Sequence, residues 1–324
     1  MSRKILITGG AGCIGSDLAE ALVTRGDHVT VLDNLSSGRL EHIEPLLTHD
    51  KFRFIQGDLL DQKALDAAMD SVEMVYHLAA NPDVKFTAGD ATDKDLKQNT
   101  LATYAVLETM RQQGVKKLAF SSTSAVYGVC ETLPISEQQA PHPISLYGAS
   151  KLACEGLIGS FQHLFDMQCW VFRFANIVGK KVRSRGRTVI ADFAHKLLDD
   201  PSTLPILGNG KQAKSYLLSS ECVEAMLFAI EHAKQPINTF NLGCSDWITV
   251  DRIAELMVEA MNLENVKFEY TGTEGGWAGD VPRFLLDVSA INQLGWQAKH
   301  NSEQAIRFAI KNTLQEINQT TCKP

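Results

Sequence analysis

At 324 residues the chain is long enough for two domains or one large fold, and 44% hydrophobic with 21% charged residues is an ordinary balance for a protein with a full core. Ten Pro and 23 Gly exclude a collagen-like or low-complexity chain, and a net charge of −7 argues against nonspecific nucleic-acid binding. Seven scattered cysteines without any C-x-x-C pair indicate neither a disulfide framework nor a zinc site. No apolar run approaches the ~20 residues that span a bilayer, and Met-Ser-Arg-Lys leads straight into Ile5-Leu6-Ile7 without a signal-peptide pattern. The expectation is a cytoplasmic globular chain of enzyme size, with no nucleic-acid or membrane partner and no metal.

In chain order, short apolar runs alternate with segments of helical spacing. The predicted strands are Lys4–Thr8, His28–Leu32, Phe52–Gln56, Met74–Leu78, Lys117–Ser121 and Cys169–Phe172. Between them, Gly15–Arg25 and Asp93–Gln113 carry apolar residues at helical intervals. Strands that read as nearly continuous hydrophobic runs are buried on both faces. Their alternation with helices predicts right-handed βαβ units and an α/β, Rossmann-type doubly wound parallel sheet. Beyond Gly179 the pattern loosens: a basic segment Lys180–Arg187, a helix Thr188–Leu198, a loop Pro201–Gly210, a strand–helix pair (Ser215–Leu218, Ser220–His232), a strand Thr239–Leu242 and a helix Val250–Met261. The reading is a dinucleotide-binding domain over 1–176 and a smaller α/β substrate domain over 177–324, with segments near 215–244 returning to the main sheet.

Thr8-Gly9-Gly10-Ala11-Gly12-Cys13-Ile14-Gly15 lies between the first strand and the first helix. Glycines there let the backbone turn tightly and approach a pyrophosphate, and the opening helix offers unpaired N–H groups and its positive dipole end. Two further features raise this above a bare glycine loop. Asp33, 18 residues after Gly15, ends the second strand where an acceptor for a ribose hydroxyl belongs, and Gly57-Asp58-Leu59 ends the third, suited to an adenine contact. A carboxylate at Asp33 favours the free 2′-OH of NAD over the 2′-phosphate of NADP. No arginine follows at once in Asn34-Leu35-Ser36; Arg39 is the nearest.

Tyr147-Gly148-Ala149-Ser150-Lys151 puts a phenol and an ammonium one helical turn apart. A nearby Lys⁺ stabilises the phenolate and brings tyrosine into range for a general base. Upstream, Ser121-Ser122-Thr123-Ser124-Ala125-Val126-Tyr127-Gly128 forms a polar cluster at the carboxyl end of a strand, where open α/β sheets place ligands. These motifs, with His77-Leu78-Ala79-Ala80, Arg173-Phe174-Ala175-Asn176, Gly279-Asp280-Val281-Pro282 and Leu294-Gly295-Trp296, resemble those of the extended short-chain dehydrogenase/reductases. Within that superfamily the chain is similar to the nucleotide-sugar 4-epimerases.

The resemblance implies roles by position. Thr123 hydrogen-bonds the sugar O4, Tyr147 is the base, and Lys151 orients it and the nicotinamide ribose. NAD contacts fall on Gly9, Gly12, Cys13, Ile14 and Gly15, on Asp33, Asn34, Ser36 and Gly38, and on Asp58 and Leu59. Leu78, Ala79, Ala80, Asn99 and Ser121 complete the cofactor set with Tyr147 and Lys151. Lys85, Ser124, Asn176, Arg183, Arg185, Lys214 and Asp280 join Thr123 and Tyr147 around a UDP-sugar. The implied reaction oxidises C4 to a transient 4-keto sugar and reduces it again from the other face, so NAD is regenerated at each turnover.

Ser124-Ala125 stands where relatives that dehydrate the sugar carry an acidic pair, and where hexuronate decarboxylases commonly carry Glu after the hydroxyl residue. The basic segment Gly179-Lys180-Lys181-Val182-Arg183-Ser184-Arg185-Gly186-Arg187 reads either as a solvated charge run or as a face for anionic substrate. Arg can hold a C6 carboxylate bidentately and fix its plane, which restrains loss of CO₂ from a 4-keto hexuronate. UDP-glucuronate 4-epimerase is therefore the first expectation. UDP-glucose 4-epimerase is the alternative, with a decarboxylase or a non-catalytic NAD-binding protein behind it. Lys214-Ser215-Tyr216 departs from the Arg-Asp-Tyr usual in UDP-galactose epimerases, and Trp277 replaces an arginine often found three before Asp280, so TDP and GDP stay open.

Cys13, Cys130 and Cys244 read as space-filling residues and His77 as packing rather than catalysis. Trp247, Trp277 and Trp296 read as core or as a pocket wall. The stripes Leu96-Thr100-Thr103-Leu107-Met110 and Ala149-Leu152-Ala153-Gly156-Leu157-Ser160-Leu164 are expected to pair two copies as a homodimer, as the resemblance implies.

Overall fold

The first five-residue strand, β1 (Lys4–Thr8), shows how the fold is layered. Ile5 and Ile7 enter one core while Leu6 enters another, because successive side chains leave a strand on opposite faces. The computed structural model describes residues 2–83, 89, 91–181, 188–277 and 279–321. Around β1 the chain runs through α1 (Cys13–Thr24), β2 (His28–Asp33), β3 (Phe52–Gln56), α2 (Gln62–Met69), β4 (Met74–His77), α3 (Ala102–Gln113), β5 (Lys117–Thr123), α4 (Leu146–Phe165) and β6 (Gln168–Phe174). It continues with β7 (Asn176–Val178), α5 (Val189–Asp199), β8 (Thr203–Ile206), β9 (Ala213–Lys214), β10 (Tyr216–Leu218), α6 (Ser219–His232) and β11 (Ile237–Leu242). It ends with β12 (Ile248–Thr249), α7 (Val250–Ala260), β13 (Lys267–Tyr270), β14 (Arg283–Phe284), α8 (Ser289–Leu294) and α9 (Ser302–Thr321).

Seven parallel strands form the main sheet in the order β11-β6-β5-β4-β1-β2-β3. Chain order reverses between β1 and β4, which opens a crevice at the carboxyl ends of those two strands. Helices α1, α6 and α8 cover one face, and α2, α3 and α4 cover the other. The doubly wound Rossmann-type sheet read from the sequence is the one observed. Residues 237–242 return to the sheet as its edge beside β6. A third core, built from α5, α7 and α9 against β8 and β10, carries the remaining segments.

Several boundaries follow visible local chemistry. Thr188 and Thr249 cap α5 and α7, their hydroxyls accepting from the Ala191 and Arg252 amides at 3.2 Å. The predicted helix over 93–113 differs in its first part: Leu96–Leu101 is a π-helical turn, and the α-helix begins at Ala102.

The stripe expected to pair copies through α3 also differs. Thr103, Leu107 and Met110 are fully buried against the sheet, because the amphipathic face of α3 is taken by its own core. The large apolar residues that α3 and its preceding turn expose are Leu96, at the start of the expected stripe, with Leu101 and Tyr104, the last edge-on to Phe161 of α4. On α4, Ala149, Ala153, Gly156, Ser160 and Leu164 are exposed.

Candidate active site

A cavity of about 1000 Å³ follows the crevice from the glycine turn to β9 and the segment before β14. Gly9 sits at φ +71, and a Cβ there would fall 2.6 Å from the Ala79 nitrogen, so the turn after β1 packs directly on the chain leaving β4. Thr8 ties the same two strands: its hydroxyl accepts from the Ala79 amide at 3.3 Å and meets His77 Nδ1 at 2.7 Å. Asp33 holds the turn from the other side. Its Oδ2 accepts from the Ala11 amide at 2.9 Å and its Oδ1 from the Leu35 amide at 2.8 Å. Burial raises the Asp33 pKa, and those amides pull it back. Asn34 Nδ2 donates to Asp58 Oδ2 at 2.8 Å, which joins the ends of β2 and β3.

Gly9, Gly12, Cys13, Ile14, Gly15, Asp33, Asn34, Ser36, Gly38, Asp58, Leu59, Leu78, Ala79, Ala80 and Ser121 all line the cavity. Asn99 does not line it. It is buried one layer behind, where its Oδ1 accepts from the Asn81 amide at 2.8 Å and its Nδ2 donates to Ser150 Oγ at 2.8 Å. Asn81, which does line the cavity, carried no motif and was not singled out from the sequence. The site accommodates a dinucleotide on structural grounds. Helix α1 opens at Gly12 without a side-chain cap, and a Cβ on Gly12 would meet only the Gly9 carbonyl, so its first amides face the cavity across bare backbone.

The second part of the site rests on α4. Ser145 caps that helix by accepting from the Gly148 amide at 3.1 Å. A Cβ on Gly148 would lie 2.5 Å from the Ala125 carbonyl, so glycine between Tyr147 and Lys151 lets the helix touch the turn after β5. That contact brings Thr123, Ser124, Tyr147 and Lys151 to one cavity wall. Lys151 is 2% exposed; its Nζ donates to the Ser121 carbonyl at 2.7 Å and lies 4.6 Å from the Phe120 ring centre. Burial lowers its pKa to about 8, which still leaves it mostly charged at neutral pH.

Behind this wall a polar lattice fixes α4. Arg173 donates to Glu155 through Nε at 3.0 Å and a terminal nitrogen at 2.7 Å, and Ser122 Oγ donates to Glu155 at 2.5 Å. Arg173 also donates to the Tyr127 hydroxyl at 2.9 Å, which donates to Asn241 Oδ1 at 2.8 Å. Burial pushes the Tyr127 phenol up to about 12 and holds His77 down at about 3, so His77 is a neutral packing residue.

The third part is carried by the small sheet β12-β9-β14. Lys214 Nζ meets Asp280 Oδ1 at 2.6 Å, Asp280 Oδ2 accepts from the Gly276 amide at 2.9 Å, and Lys214 lies 5.2 Å from the Trp277 ring centre. Both Asp280 oxygens are thus engaged. Trp277 Nε1 and Gln212 Oε1 are buried in the same wall without hydrogen-bond partners. Asn176 lines the cavity beside Tyr216, with which it is in register across the β10–β7 pair. Of the three tryptophans weighed, Trp247 is largely exposed, Trp296 is core and Trp277 is pocket wall. Gln212 was missed because nothing in its local sequence marks a glutamine just ahead of a two-residue strand. Lys85, Arg183 and Arg185 lie outside the described residues.

Residues 5–243 match the model of the NAD dependent epimerase/dehydratase family. A UDP-glucose 4-epimerase of Mycolicibacterium smegmatis is 33% identical over 298 residues, covering 91% of this chain and 93% of that one. The structure of a Thermotoga maritima UDP-glucose 4-epimerase with UDP-glucose aligns with a TM-score of 0.86 at 30% identity, over 97% of this chain and 99% of that one. A Bacillus cereus UDP-glucuronic acid 4-epimerase with UDP-glucuronic acid and NAD aligns at 0.87 and 25% identity, over the same shares.

Proposed function

The chain belongs to the NAD dependent epimerase/dehydratase family as an NAD-dependent UDP-sugar 4-epimerase, an isomerase, and we propose that its sugar is a hexuronate, UDP-glucuronate. One observation supports that choice. Val178 and Thr188, which bracket the basic segment of three arginines and two lysines over 180–187, both line the cavity. Lys181, at its start, is anchored on α1 through Asp17 at 3.1 Å. A second reading, UDP-glucose, is supported by the names of the M. smegmatis and T. maritima relatives.

In this reading the Tyr147 oxygen takes the proton from the C4 hydroxyl. The Lys151 ammonium, held in place by the Ser121 carbonyl, stabilises the phenolate that makes this possible. Thr123, whose Oγ1 accepts from the Ala125 amide at 3.2 Å, keeps its own proton to donate to the sugar oxygen. NAD, when bound on the glycine turn, supplies the reversible two-electron acceptor for C4. The 4-keto sugar turns over in the cavity, and Tyr147 returns its proton as C4 is reduced from the other face. In this reading Lys214 and Asn176 meet the diphosphate and Asp280 the nucleoside ribose, all three being cavity-lining residues. Two copies pair through the exposed face of α4 and the Leu101–Tyr104 edge.

The test is epimerisation of UDP-glucuronate and of UDP-glucose by wild type and by Arg183→Ala and Arg185→Ala. Loss of a bidentate carboxylate contact should lower kcat/KM for the glucuronate about 10- to 150-fold more than for glucose. Equal effects on both sugars would move the assignment to UDP-glucose.

A further inference from the structure

The loop after β2 lies directly on the glycine turn. The Arg39 amide donates to the Ala11 carbonyl at 3.1 Å, and His42 Nδ1 meets the same oxygen at 2.9 Å. A Cβ on Gly38 would fall 2.9 Å from the Ala11 Cβ and 3.0 Å from Asp33 Oδ2, so this loop and the Asp33 carboxylate form one surface. Ser36, Ser37, Gly38 and His42 line the cavity, and Arg39 does not. Its guanidinium is turned to α9, where it pairs with Glu316 at 2.5 Å across 277 residues of sequence.

Asp33 disfavours a 2′-phosphate by charge, but a carboxylate can be overridden by a cation placed beside it. Arg39 is that cation by position: its backbone touches the residue that the Asp33 carboxylate holds, and a guanidinium matches a phosphate with paired donors. Only its direction keeps it from that task. We propose that Glu316 is a specificity-determining residue for the cofactor, acting from the last helix by drawing Arg39 out of the nucleotide cavity and so withholding the cation that a 2′-phosphate needs. Selection for NAD then has two parts, a repelling carboxylate at the end of β2 and a withheld arginine behind it. Both partners of the pair are more than a third exposed. A pair that open contributes little to stability, so its removal should change selectivity without disturbing the fold.

The experiment reads bound nucleotide, not turnover. Full-length protein freed of nucleotide is equilibrated with NAD⁺ and a large excess of NADP⁺, and the bound fraction is extracted and quantified by chromatography. Glu316→Gln should raise the NADP:NAD ratio about two- to fivefold, the scale of one partly exposed charge contact. Glu316→Lys, which also repels Arg39, should raise it further. Adding Arg39→Ala to Glu316→Gln should return the ratio to the wild-type value, and Arg39→Ala alone should leave it there. An unchanged ratio in Glu316→Gln overturns the proposal. So does a raised ratio that persists in the double variant, since Arg39 would then have no part in it.

Discussion

The two walls of the cavity are built on different terms. On the wall of β5 and α4, the buried polar groups are satisfied from within: Lys151 by the Ser121 carbonyl, Glu155 by Arg173 and Ser122, and Tyr127 by Asn241. On the wall of β9 and the segment before β14, Trp277 Nε1 and Gln212 Oε1 are buried without partners, although Lys214 and Asp280 beside them are paired. A buried orphan donor or acceptor costs about 1–3 kcal/mol, whereas a completed lattice stiffens what it holds. The first wall is finished before any ligand arrives. The second leaves a donor and an acceptor open towards the cavity.

That contrast can be broken most decisively at its catalytic end. Tyr147→Phe should fold and retain NAD as wild type does, yet lose about 10²–10⁴-fold in turnover. Near-normal epimerisation by this variant would remove the base from the mechanism. Next in size, Glu155→Gln leaves Arg173 charged, largely buried and without its carboxylate, and should cost about 3 kcal/mol in urea unfolding. A loss below 1 kcal/mol would show that the lattice does not brace α4.

Acid probes the buried layer behind the cavity, where His77 ends β4 between Thr8 and Thr103. His77 is depressed from 6.5 to about 3, so the stability it contributes is complete above pH 6.5 and is lost as the pH falls towards 3. Over that window wild type should lose about 1.4 kcal/mol per pH unit from this residue, a slope absent in His77→Asn. Parallel stability profiles for the two proteins would show that His77 charges freely. Smallest is the effect on the other wall. Trp277→Phe deletes the orphan N–H, so the ligand-free protein should be unchanged or slightly more stable while UDP affinity falls about tenfold by calorimetry. A loss of stability with unchanged UDP affinity would mean that Trp277 is packing alone.

Much of this was legible in the chain. The parallel sheet could be read from apolar runs and intervening helical spacing, because burial on both faces leaves no polar alternation to confuse the pattern. The glycine turn, Asp33, Asp58, Thr123, Tyr147 and Lys151 could be read because each sits at a strand end or one helical turn from its partner, so sequence distance stands in for spatial distance. The part of the stripe that lies on α3 itself, Thr103, Leu107 and Met110, misled for a related reason. Period 3.6 marks an amphipathic face but not what covers it, and here the molecule's own sheet does.

Tertiary structure alone decided the contacts that join residues far apart in the chain. Asn99 turned out to support Asn81 rather than the cavity, through bonds to residues 18 and 51 positions away. Lys214 met Asp280 across 66 residues, Tyr127 met Asn241 across 114, and Arg39 met Glu316 across 277. A local pattern records which backbone conformation and which face a segment prefers. The partner of a long charged side chain depends on how whole layers dock, and no spacing along the chain encodes that.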